Sequence, residues 1–163
     1  MKRIVIILSL IFALAISLSA AIPALADTPS GTTAITGSLA THVEISVPAG
    51  FALPELIPGQ DSTSAVKTVT VNCNKPNWTL AVKEASGDGK MSDGGNILAN
   101  ALKIKGGDVV PYTALSGTDL KLKDANGAKG TVAVDNIYFQ QSTTWDDVAG
   151  SYAITVTFTV TPS

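Results

Sequence analysis

Cysteine, histidine and arginine each occur once in the 163 residues. A lone cysteine cannot close an internal disulfide, so the fold is held by packing and hydrogen bonding. One cysteine and one histidine also cannot build a soft-ligand metal centre, which needs several such side chains. The sole histidine, His42, stands beside Glu44 with no G-x-S-x-G sequence anywhere, which argues against a Ser-His-Asp hydrolase. Arg3 is the only guanidinium and the lysines are scattered. Binding to nucleic acid calls for dense basic patches, often with arginine forks on phosphate, so that class is excluded. Charged residues make up 15% and aromatics 6% of the chain. Helical periodicity is almost entirely missing.

What is present begins with an export signal. Met1-Lys2-Arg3 is followed by the apolar run 4–18 and by small residues ending in Ala24-Leu25-Ala26. A charged start, greasy middle and small-x-small exit form a secretory signal peptide over 1–26, cleaved between Ala26 and Asp27. No cysteine follows the cleavage site, so a lipid anchor is not expected, nor is a membrane span once the signal is removed. Losing Lys2 and Arg3 leaves nine lysines against 13 acidic residues, a net excess of four negative charges. Residues 27–34 read as a flexible leader and 35–163 as one domain, long enough to bury its own core.

Along that domain apolar residues recur with a period of two, punctuated by Gly, Asn, Asp and Pro. Leu39, Val43, Ile45 and Val47 share one face of the first segment. Val69, Val71 and Cys73 form the next inward set, a phase that favours Cys73 as a small buried hydrophobe over a thiol that pairs with another chain. Trp78, Leu80 and Val82 follow, then Leu102 with Ile104, and Leu120 with Leu122. Segments 131–134 and 137–140 are two strands, or one interrupted at Asp135-Asn136 by a bulge or turn. In the last segment Tyr152, Ile154, Val156, Phe158 and Val160 alternate with Ala153 and a ladder of threonines, the pattern of a long strand with one buried face. Asn126-Gly127 carries the signature of a type I′ hairpin turn, and 94–103 could hold a short helical turn. Seven to nine short strands of this kind predict an all-β fold, an antiparallel β-sandwich of immunoglobulin-like size. Trp78, in phase with Leu80 and Val82, is expected in the core.

Chemistry-bearing groupings are few. Asp88, Asp93 and Asn96 lie in an acidic loop, but their spacing fits no calcium-binding loop, and Gly with Asp is ordinary turn chemistry. No metal, cofactor or catalytic residue is expected, and the chain reads as no enzyme. The strongest candidate binding residues are Trp145, Asp146 and Asp147 in a polar connection, with Tyr112. An exposed aromatic face flanked by carboxylates can hold a sugar ring by stacking and hydrogen bonding. The alternative reading, that Trp145 caps one end of the sandwich, stands beside it.

Two stretches carry a family likeness. Trp78-Thr79-Leu80, followed near the C-terminus by Tyr152 and the threonine ladder, resembles the WxL surface domain of Gram-positive bacteria. Phe158-Thr159-Val160 stands where that family has its second Trp-x-Leu. The resemblance implies an exported domain held non-covalently at the cell wall, with peptidoglycan or another surface polysaccharide as ligand and other surface proteins as further partners. The expectation is therefore a secreted, cell-surface, wall-associated or polysaccharide-binding module. The alternative is a structural subunit of a surface fibre or layer, assembling by strand-edge pairing.

Overall fold

A computed structural model describes residues 32–163. The signal peptide and its Ala26-Asp27 junction lie outside the described residues. Contacts divide the chain between Ser38 and Leu39. Of the first unit, residues 32–38 belong to no strand and are exposed. The second unit carries eleven strands: β1 (Val43–Ser46), β2 (Asp61–Thr63), β3 (Lys67–Cys73), β4 (Trp78–Glu84), β5 (Lys90–Ser92), β6 (Ile97–Ala101), β7 (Lys103–Gly106), β8 (Val109–Ala114), β9 (Leu120–Ala125), β10 (Gly130–Ser142) and β11 (Val156–Pro162).

One sheet runs β1-β3-β10-β7-β8, with β2 also paired to β10; the other runs β11-β4-β9; β5 and β6 form a separate hairpin. All pairings are antiparallel. The fold is the all-β sandwich that the period-two pattern predicts. Val69, Val71 and Cys73 from one sheet meet Trp78, Leu80, Val82 and Leu122 from the other in a single buried cluster. Trp78 is 0% exposed. Its indole nitrogen donates to the Ala128 carbonyl at 2.8 Å, which gives the ring's one polar atom a partner in the dry interior.

β10 is one strand rather than two. Val132 and Val134 turn inward before Asp135-Asn136, and Ile137 and Phe139 after it, so the inward parity switches from even to odd numbers. The register slips between Val134 and Ile137, and Asn136 takes a φ of 58°. That is a β-bulge, with asparagine, tolerant of the left-handed region, at the strained residue. It lets one long strand pair with β3 in its first half and with β7 and β2 in its second.

Four expectations need correction. The segment with a possible helical turn is β6, paired to β5, because Leu98 has a core to face and the backbone finds ladder partners. Asn126-Gly127 does not close a hairpin. β9 pairs with β4 and β10 with β3, so 126–129 crosses between sheets, and only Gly127 of the pair has positive φ. The apolar face of the first segment is largely exposed, Leu39 at 88% and Val47 at 49%, because β1 is an edge strand and of that face only Val43 packs against the core. The inward face of β11, including Phe158 and Val160, has the expected phase but is only half-buried, as is Tyr152 ahead of it.

Candidate functional site

That half-buried face opens onto a cleft of about 1050 Å3. Its floor is core: Met91, Leu98, Leu102 and Phe139. One wall is the run from Ala149 to Phe158, which leads into β11. The other is the extended segment from Pro48 to Pro58. Among the described residues, Glu55 and Asp147 are the only charged ones that line it.

Local sequence explains both walls. Pro48, Pro54 and Pro58 punctuate the first, and proline has no N–H to give a ladder. Among the described residues no backbone N–H of 47–56 finds a partner, and one carbonyl does: Pro54 accepts from the Ser62 hydroxyl at 2.9 Å. Phe51, 41% exposed, tilts against Phe139 with ring centroids 5.5 Å apart, and the Lys67 ammonium sits 4.1 Å from its centroid. The opposite wall is tied down at two points. Ala153 exchanges backbone hydrogen bonds with Ser92 at 2.8 and 3.0 Å, and the Thr155 carbonyl accepts from Ala85. Beyond it β11 is hydrogen-bonded to β4 on one side only; β1 comes close to it without pairing, so its outer edge has no ladder partner. That edge carries no charged residue to discourage another chain.

The predicted binding residues occupy several environments. Trp145 is 83% exposed, its indole nitrogen above Gly59. Asp146 is exposed beside it. Asp147 turns inward: its carboxylate accepts from the Thr144 amide and hydroxyl and, at 2.7 Å, from the Ala99 amide, pinning the loop to β6. Those hydrogen bonds, led by the Thr144 amide, hold its carboxyl below the ordinary range. Tyr112 is on β8, its ring 4.7 Å from the Lys105 ammonium, which also lies 5.1 Å from the Tyr138 ring. Tyr112 shares no hydrogen bond or ring contact with the Trp145 loop. Of the family-motif positions, Trp78 and Leu80 are sealed in the core, and Phe158 lines the cleft with Tyr152, whose hydroxyl donates to the Val148 carbonyl.

The acidic loop is turn chemistry. Asp93 accepts from the Gly95 and Asn96 amides and the Asn96 side chain, and Asp88 from the Lys90 amide. The cleft itself was missed in the sequence. Its available signal was three prolines spaced through a stretch, residues 48–58, that is apolar but for Glu55, joins no ladder, and yet carries Phe51, Leu53 and Leu56.

No protein-family model and no curated protein matches the chain. Among solved structures, it is similar to a chain from a chaperone-usher pilus whose structure concerns rod uncoiling, with a TM-score of 0.52 and 13% identity over 83% of this chain and 97% of that one. At that identity the likeness is one of fold.

Proposed function

We propose that this protein is a non-enzymatic structural subunit of an exported surface fibre, assembling when a strand from a neighbouring molecule enters the cleft and pairs with the free edge of β11. The observation that carries the reading is the juxtaposition of an apolar trough with unpaired backbone along its walls. A strand brings what the trough lacks: alternate side chains for the apolar floor and main-chain groups for the edge. The export signal read in the sequence and the fold shared with a pilus chain support it. Size-exclusion chromatography and negative-stain microscopy test it. The exported chain should form concentration-dependent ladders or filaments, and Ile154→Asp, a charge in the cleft wall, should reduce it to a monomer. A parent that stays monomeric at every concentration overturns the reading.

One observation favours a second reading. Trp145 presents nearly its whole ring to solvent with Asp146 at its side, the arrangement that would stack on a wall polysaccharide. Pelleting with purified peptidoglycan tests it. Trp145→Ala should abolish co-sedimentation with little change in melting temperature, and unchanged pelleting would refute the assignment.

A further inference from the structure

We infer that the recess where β7, β8 and the bulge of β10 meet is a binding site for an acidic saccharide, with Lys105 receiving a sugar carboxylate. The inference rests on neither reading above. The recess has a volume of about 360 Å3, and its lining includes Lys105, Val110, Asp135, Asn136 and Tyr138. Backbone geometry keeps it open. At Gly106 an added Cβ would fall 2.7 Å from the Ile137 Cα, so a side chain cannot stand there. Asn136 holds its φ of 58° in the middle of a strand, and bulges commonly re-aim a side chain in this way.

The side chains around the recess are held in place yet unsatisfied. The Lys105 ammonium lies 4.7 Å from the Tyr112 ring and 5.1 Å from the Tyr138 ring, on the strands to either side of β7. Two aromatic faces fix a cation without neutralising it. Among the described residues the ion-paired lysines are Lys83, Lys121 and Lys123, so Lys105 meets no carboxylate. Asp135, the acid in the lining, accepts instead from the Thr68 hydroxyl on β3 at 2.7 Å. Lys103, on the same side of β7, is equally unpaired, about 7 Å away at strand rise. The Tyr152 hydroxyl finds a protein acceptor, but those of Tyr112 and Tyr138 find none among the described residues. Neither does the side-chain amide of Asn136, although those of Asn72, Asn74, Asn96 and Asn100 each do. Val110 adds an apolar surface that is 81% exposed. A sugar acid matches each group in turn: a carboxylate for the ammonium, hydroxyls for the amide and phenols, and a C–H face for Val110. Two unpaired ammoniums on one strand suit an oligomer better than a single sugar. A glutamate side chain would meet the lysines and leave the amide and phenols unanswered.

Calorimetry on the exported chain tests this with three probes: a galacturonic acid oligomer, a galactose oligomer of equal length and a glutamate oligomer. The parent should bind the acidic sugar most tightly, and more weakly as salt rises. Lys105→Gln, which keeps most of the stem, should weaken that binding about tenfold, the loss of one charge-assisted contact. It should leave any binding of the neutral oligomer unchanged. Asn136→Gly removes the amide and relieves the backbone, so it should weaken binding without lowering the melting temperature. Trp145→Ala should change nothing, which separates this site from the exposed tryptophan. A parent that ignores the acidic sugar, or binds the neutral one as well, overturns the inference. So does a Lys105→Gln variant that binds like the parent. Equal or tighter binding of the glutamate oligomer reassigns the recess to an acidic peptide and overturns the saccharide.

Discussion

Single residues set the stability of this domain where a side chain or a missing one is fully enclosed. Trp78 combines a filled volume with a satisfied indole, so Trp78→Ala should cost about 3–5 kcal/mol through the cavity left behind. Trp78→Phe should cost less, mainly by stranding the Ala128 carbonyl; urea titration orders the two. Gly89 is a case of the opposite kind. Its φ is +72° and an added Cβ would fall 1.9 Å from the Leu115 carbonyl oxygen, so Gly89→Ala should be severely destabilising. A variant melting within a degree or two of the parent would contradict that contact.

Glu84 closes the inward row of β4 with a carboxylate where the phase predicts an apolar residue, and it is 3% exposed. Burial pushes its pKa up, but the Ser86 amide and hydroxyl and the Gly87 and Gly89 amides outweigh that and lower it from 4.5 to about 2. A depressed folded-state pKa means the stabilisation is complete above pH 4.5 and is lost as pH falls toward 2. It amounts to something on the order of 3 kcal/mol. Glu84→Gln should flatten the acid limb of a plot of melting temperature against pH and lower its plateau, since an amide places a donor against donors.

At the scale of elements, the sequence disclosed more about phase than about burial. Alternation identifies which side chains of β3, β4 and β11 face one another, because a period of two follows from backbone geometry alone. It does not say whether a face is covered, since covering depends on partners far away in the chain. β1 and β11 show the difference: both alternate cleanly, and both are edges. β5 and β8 were illegible because a three-residue strand and one holding Pro111 carry too little pattern. The cleft was hidden for the same reason as the exposure of β1, being a property of what is absent beside a strand. Edge exposure has a measurable counterpart in hydrogen exchange. Amides on the free side of β11 should exchange fast in a monomeric variant and slow in the assembled parent, while those of β4 stay protected in both.

For the whole molecule, the two sheets share one core and differ in how their borders end. β8 and β9 finish the far borders under ion pairs such as Lys123 with Asp108 at 2.9 Å, which decorate an edge with charge. The outward side chains of β11 are only threonines, so on the fibre-subunit proposal this is the side at which another strand would add. Lysine placed at Thr157 and Thr159 should therefore suppress laddering with little effect on the melt, because those side chains already point to solvent.

Cys73 lies 1% exposed between the sheets, and no covalent staple joins any part of the described domain. The stability of the folded domain is thereby independent of any disulfide. A reductant should leave its melting point unmoved, so the fold stands without an enzyme to make or shuffle bonds.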